Sequence, residues 1–149
     1  MSLISKVYGV DGAHDSPYRL KIQLPFGWRL HKFYRPDLDR AWHDHPNHFW
    51  TLPFASYWGE VLDRETGERR LNLVEAWRWH YRPATYTHRL AGRARLAAWR
   101  DTTPDPRPHW TLVREILPEF KEWGFFVELP DGVGYRYIPW RDYIFEGVR

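Results

Sequence analysis

Trp42-His43-Asp44-His45-Pro46-Asn47-His48 is the stretch from which the rest of the chain can be read. It sets two of the chain's eight histidines two positions apart and a third three positions later. Residues i and i+2 of a β-strand project to the same face, so a strand here would point His43 and His45 side by side. Two parallel imidazoles joined by a histidine from a facing strand make a three-nitrogen site of the kind Zn, Fe, Cu or Ni accepts. Tyr86-Thr87-His88-Arg89-Leu90 supplies the facing candidate, His88. Read as a loop, the same pair would only hydrogen-bond backbone and solvent, and His88 would be a satisfied interior histidine.

Working outward, the flanks read as strands. Arg19-Leu20-Lys21-Ile22-Gln23-Leu24 alternates polar and apolar residues, the mark of a half-buried strand, and Pro25-Phe26-Gly27 turns it. Residues 3–9 and 28–34 read as strands on either side, with a loop over 10–18. After the histidines, residues 49–62 read as two strand segments interrupted at Pro53, which suits an edge or a bulge. Residues 63–69 read as a hairpin turn and Leu71 to Trp79 as its return strand. A short strand around His88, one from Arg93 to Arg100, and late strands over 109–113, 123–129 and 135–138 complete the set. Residues 140–145 read as a helical turn or a docking tail. About ten short strands with almost no amphipathic helix make an all-β sandwich or barrel.

At 149 residues the chain is expected to be one domain over 1–149, large enough to bury a core. It has no cysteine, which excludes disulfides, thiolate zinc sites and cysteine nucleophiles. No apolar run is long enough to span a membrane, and residues 1–6 lack the apolar region of a signal peptide, so a cytoplasmic protein is expected. The net charge of +3 comes from scattered basic residues that form no stripe interleaved with aromatics, which argues against nucleic acid as the partner. Ten tryptophans, nine tyrosines, twelve prolines and ten glycines favour strands and tight turns.

His43-x-His45 leaving a strand, then a hairpin, then Pro83 and His88 before another strand, resembles the two metal-binding motifs of the cupin superfamily. The order His-Asp-His-Pro, a Gly-Glu hairpin, His88-Arg89-Leu90, Trp110-Thr111-Leu112, Glu122-Trp123-Gly124-Phe125 and Pro139-Trp140-Arg141 is similar to small single-domain cupins of bacterial and phage genomes, mostly without an assigned activity. The resemblance covers residues 28–143. It implies a cupin-like jelly-roll β-barrel with one metal held inside by His43, His45 and His88. Two departures matter. The glutamate that follows the first motif's second histidine by four or five positions is replaced by Phe49 or Trp50, and the glycine after the second motif's proline by Ala84. Three histidines without a carboxylate resemble cysteine-dioxygenase-like cupins, whose cysteine–tyrosine crosslink this chain cannot form.

The expected cofactor is therefore one divalent transition metal, Fe(II) first, with Mn, Ni, Cu or Zn as alternatives, since imidazole accepts them all. Glu60, after Gly59 on the hairpin, is the candidate catalytic base, with a surface salt bridge as its plainer role. Arg82 and Arg89, whose guanidiniums can grip a carboxylate or phosphate, and Trp58, whose ring suits a flat ligand, are the candidate substrate contacts, each equally readable as a surface or packing residue. His48 is either a fourth ligand or a rim residue, and Asp44, pointing away from its neighbours, could orient a ligand. His80 and His109 read as packing or surface residues, and His14 and His31 belong to no motif.

These residues fit a mononuclear non-haem iron, dioxygenase-like enzyme acting on a small molecule. Metal-assisted isomerisation or elimination on a sugar or hydroxy acid, and a non-catalytic small-ligand-binding cupin module, are the other readings. Exposed edge strands make a homodimer the expected assembly.

Overall fold

The computed structural model describes residues 3–8, 17–36, 41–94, 105 and 107–145. Along them run β1 (Ile4–Tyr8), β2 (Pro17–Gln23), β3 (Trp28–Phe33), β4 (Trp42–His43), β5 (Phe49–Pro53), β6 (Tyr57–Leu62), β7 (Arg69–Val74), β8 (His80–Arg82), β9 (His88–Arg93), β10 (His109–Glu115), β11 (Gly124–Glu128), β12 (Tyr135–Pro139) and the short helix α1 (Trp140–Phe145). One sheet, A, has the order β1-β2-β3-β10-β5-β8, and the other, B, the order β12-β11-β4-β9-β6-β7. Neighbouring strands pair antiparallel in both. Among the described residues the two ladders stay separate, so the expected barrel is a jelly roll of two open sheets.

The β6–β7 hairpin is built by its turn. The Asp63 carboxylate accepts the N–H groups of Glu65 (2.9 Å) and Thr66 (3.0 Å), and Gly67 takes the left-handed φ of 73° that closes the reversal. The return strand is shorter than its sequence suggests. Trp77, at a φ of 60°, donates its N–H to the carbonyl of Pro53 (2.8 Å), so the chain leaves sheet B after Val74 and enters sheet A as β8. Pro53 is tolerated because β8 pairs only with residues 49–51, leaving no ladder that needs its missing N–H. The short strand expected around His88 is β9, ending at Arg93, and the further strand expected from Arg93 to Arg100 falls mostly on residues 95–100, outside the described residues. The loop expected over 10–18 lies largely outside them too, and β2 already starts at Pro17.

Residues paired across an antiparallel ladder share a face. In sheet A the row Lys21–His31–Thr111–Pro53 and the row Arg19–Phe33–His109 point inward. His31, Thr111 and His109 are 7%, 3% and 4% exposed, and Phe33 packs on the core cluster of Tyr57, Val74 and Leu90. The intervening row, Ile4–Ile22–Leu30–Leu112–Leu52, therefore points outward. Sheet B follows the ordinary rule more closely, with Leu90, Val61 and Phe125 buried. α1 closes one end, where Tyr143 stacks on Phe125 (centroids 3.8 Å) and its hydroxyl accepts the Ala41 N–H (3.0 Å). Among the described residues no helix is long and apolar enough to cross a membrane.

Candidate metal centre

His43 pairs directly with His88 across β4 and β9, and His45 follows two residues on, so all three rings turn to the same side. The ring centroids form a near-equilateral triangle, 5.0 Å (His43–His88), 5.0 Å (His45–His88) and 5.2 Å (His43–His45). One ring nitrogen from each lies within 4.8 Å of the others, and the Nε2 atoms of His45 and His88 are 3.0 Å apart. Two nitrogens bound to one ion at about 2.1 Å along perpendicular directions stand roughly 3 Å apart, so the spacing fits a shared metal. Burial holds the pKa of His45 well below the ordinary imidazole range, with the charge of His88 next in effect. Burial also pushes His88 down to about 3, assisted by Arg82 and Arg19. Both are neutral at pH 7, the form that coordinates a metal without first losing a proton.

The local sequence fixes this triangle from behind. Asp44 points away from the two histidines and is 1% exposed. Its carboxylate takes the Gly124 N–H (2.8 Å), Lys121 Nζ (2.5 Å) and Arg64 (3.0 Å), while its own N–H donates to the Gly124 carbonyl (3.2 Å). Asp44 thus fixes the backbone between the ligands and touches none of them. Only glycine fits at 124, since a Cβ there would collide with the Ile138 carbonyl oxygen and the Tyr137 ring. Ala84, fully buried, accepts the His45 N–H (3.0 Å) and donates its own to His48 Nδ1 (3.0 Å). His48 is thereby a rim residue, its ring against Phe120 (4.7 Å) and Tyr81 (6.2 Å). Phe49 packs on His45 (4.6 Å), Tyr86 on His88 (4.9 Å) and Trp123 on His43 (6.3 Å), so the two positions where a cupin glutamate was missed hold one wall aromatic and one exposed tryptophan, Trp50.

Glu60 is not brought to the histidines. Val61 pairs with His88 on the inner face, so Glu60 faces outward, where it pairs in register with Arg89 and its carboxylate bonds the guanidinium at 2.8 Å. Arg89 in turn lies over the Trp42 ring (3.8 Å), which makes it part of the outer surface rather than a substrate contact facing the cluster. Trp58, in register with Leu73, also lies on the outer side of sheet B. Arg82 does reach the site: it pairs with Phe49 on the inner face, lies over the Tyr86 ring (4.5 Å), and its charge acts on both His45 and His88. His80 bonds the Glu75 carbonyl (2.9 Å) away from the triangle, and His14 lies outside the described residues.

The sequence reading passed over a second inward group. His31 and His109, with Thr111, bury ring or hydroxyl atoms, and Arg19, Lys21 and Arg29 extend from the same inner face. Burial lowers the pKa of His31 well below the usual range, with Arg19, Arg29 and Lys21 adding to it. Burial likewise takes His109 to about 4. The signal was in the sequence: Arg19-x-Lys21, Arg29-x-His31 and His109-x-Thr111 are i, i+2 pairs like the histidine pair itself.

No model of a known protein family matches the sequence, and no curated protein sequence does. Among solved structures, the iron(II) form of HppE matches with a TM-score of 0.51 at 9% identity, over 76% of this chain and 55% of that one. Fe(II)-HppE with the alternative substrate (S)-1-HPP matches at 0.50, with 9% identity over 76% and 56%. A cupin domain from Bordetella pertussis Tohama I matches at 0.40, with 11% identity over 60% and 80%. The fold is a jelly roll of two antiparallel sheets, similar to that of the HppE structures. The chain spans little more than half the length of the HppE structures, and at 9% identity the likeness is one of fold. Within that fold the histidine triangle lies on the inner side of sheet B, facing the polar inner side of sheet A.

Proposed function

We propose that this chain is a metal-binding cupin, one of the small single-domain kind it resembles, in which His43, His45 and His88 hold one divalent transition metal, and that it works as a mononuclear non-haem iron, dioxygenase-like enzyme on a small molecule. The observation that carries the reading is the triangle of ring nitrogens within 4.8 Å, two of them 3.0 Å apart. Neutral imidazoles crowded this closely share at most one N–H···N bond, whereas a metal satisfies all three. The iron(II) of the HppE structures supports Fe(II) over the other metals. A bound ion would supply Lewis acidity and open coordination positions on the side away from the three imidazoles. The chain's own residues do the rest. Phe49, Tyr86 and Trp123 pack the imidazoles in place, while Arg82, whose charge acts on His45 and His88, is a positive contact on the substrate's approach to the site. With Glu60 turned outward, no carboxylate among the described residues is offered as a fourth ligand, which favours oxygen chemistry on three nitrogens over base-assisted isomerisation.

Elemental analysis of untagged protein tests this. About one transition metal per chain is expected, lost in both His43→Ala and His88→Ala, with oxygen uptake following iron content. Absence of metal after loading with each candidate ion would overturn the reading, and turnover under anaerobic conditions would move the chemistry to isomerisation or elimination. The outward row Ile4–Ile22–Leu30–Leu112–Leu52 supports pairing of two copies through sheet A. Light scattering should then give twice the chain mass of 18.1 kDa, returning to one chain mass in Leu30→Glu. The cysteine-free sequence and an iron(II) that a reducing compartment keeps reduced suit the cytoplasm.

A further inference from the structure

Four cations face the interior close to the histidine triangle, and they are poorly matched. Arg19, Lys21 and Arg29 come from β2 and β3 on the inner face of sheet A, and Arg82 from β8. Glu115 is the carboxylate that shares this space, and Arg29 holds it at 2.7 Å. Among the described residues no carboxylate lies within ion-pair distance of Arg19 or Lys21. Their charges nonetheless meet. Burial first, then Arg29 and Arg19, depress the pKa of Lys21, and Arg19 acts on His31, His45 and His88 together. One guanidinium thus reaches both the second histidine group and the triangle.

Beside these cations sit polar atoms with no protein partner among the described residues. His31 Nε2, His109 Nε2 and Thr111 Oγ1 are buried and unbonded, on side chains 7%, 4% and 3% exposed, and the Nε of Arg19 is likewise buried and unbonded. Buried polar groups are nearly always hydrogen-bonded to protein, water or a ligand, so this set on one inward face offers its hydrogen bonds to whatever enters from the interior. Like charges crowded out of water also destabilise a fold unless something of opposite sign joins them. Imidazole and hydroxyl donors beside guanidinium and ammonium groups select an oxyanion, for which two N–H bonds from one guanidinium are the strongest recognition available.

We propose that Arg19 and Lys21, with His31 and Thr111, bind a compact oxyanion, the carboxylate or phosphoryl end of the substrate, between the inner face of sheet A and the histidine triangle. The proposal rests on the metal-site reading for what happens at the other end of that substrate, but the anion site stands on its own residues. It makes the substrate a small carboxylic, phosphoric or phosphonic acid, which excludes neutral sugars.

Isothermal titration of the full chain with inorganic phosphate and, separately, with malonate tests it. Both titrations are run at constant ionic strength, on chelator-treated and on metal-loaded protein. Saturable one-to-one binding is expected, with the tighter of the two anions naming the source of the oxyanion. Arg19→Met and Lys21→Met, which keep the side-chain length and remove the charge, should each weaken it roughly tenfold or more. Arg78→Met, at an exposed ion pair with Glu75, should leave it unchanged. The two inner variants should also melt at a higher temperature than the parent in anion-free buffer, because repulsion is relieved; a residue with only a structural role would lower it. Equal affinity in the inner variants and in Arg78→Met, or an uptake that rises linearly with salt, would overturn the proposal. Metal content of the same variants separates the two readings. Anion binding without any metal sinks the metal site alone, and one metal per chain without anion binding sinks this site alone.

Discussion

The two faces of sheet A have exchanged their usual roles. The inner face carries Arg19, Lys21, Arg29, His31, His109 and Thr111, while the outer face carries the aliphatic row from Ile4 to Leu52. A sheet that only had to stabilise a fold would be turned the other way, since each buried aliphatic side chain contributes about 1.5–3 kcal/mol and each unbonded polar atom costs about 1–3 kcal/mol. Sheet B, with Leu90, Val61 and Phe125 inside, carries more of the ordinary core. The contrast teaches that the interior of this molecule is furnished for a charged occupant and that sheet A gives up stability for it.

Acid should break the contrast most sharply. In the metal-free protein burial holds the folded-state pKa values of His31, His45, His88 and His109 below the ordinary imidazole value of 6.5, at about 3 for His88 and about 4 for His109. Below pH 6.5 the unfolded chain binds protons that the folded chain refuses, so stability falls as pH drops and stops falling only when the folded histidines protonate. Each such histidine costs up to about 1.4 kcal/mol per pH unit in that window. Four together lose up to about 5 kcal/mol per pH unit, which uses up the usual margin of about 5–15 kcal/mol one to three units below 6.5, so unfolding between about pH 5.5 and 3.5 is expected in denaturant titrations. A stability that is flat over that range would mean the inner face is wet.

The next effect concerns what holds the inner face from behind. Asp44→Ala leaves Lys121, Arg64 and the Gly124 N–H without their shared acceptor, and should cost about 3 kcal/mol. That is roughly 10 °C in melting temperature for a chain this long, measured by calorimetry, with metal content falling as the His43–His45 turn loosens. A smaller change should go the other way. Thr111→Val removes an unbonded buried hydroxyl at nearly constant volume and should raise stability by about 1 kcal/mol in urea unfolding, while weakening any bound oxyanion. Smallest of all is Glu60→Gln, outside the interior altogether: a loss under about 1 kcal/mol and unchanged metal content are expected. Loss of metal in that variant would place Glu60 back at the site.

What was legible in the sequence follows the same division. Alternation along residues 19–24 announces a strand with two unlike faces, and the strand is there as β2. Alternation does not say which face turns inward, because that is decided by what the other sheet presents, and here it presents three histidines. His43, His45 and His88 were legible as a group because their spacing and a cross-strand partner suffice to bring three imidazoles together. Glu60 was legible as a carboxylate near the hairpin, but its parity against Val61 and His88 depends on the β6–β9 register, which no local pattern fixes. Asp44 could be read as pointing away, whereas its partners, Lys121 and Gly124, lie 77 and 80 positions on. The break at Trp77 was hidden for a similar reason, since the acceptor that stabilises its turn, Pro53, belongs to another strand.

The strand order of sheet A carries one more consequence, for the time course by which the chain acquires its structure. β10 is threaded between β3 and β5, strands far earlier in the sequence, so sheet A cannot close until residues beyond 109 have been made. The β6–β7 hairpin can form long before, because its turn is local. Contacts between distant segments form slowly, and the triangle, clamped through Gly124, belongs to the last of them. A metal would therefore bind a nearly finished molecule, lengthening the life of the folded state without hastening its birth.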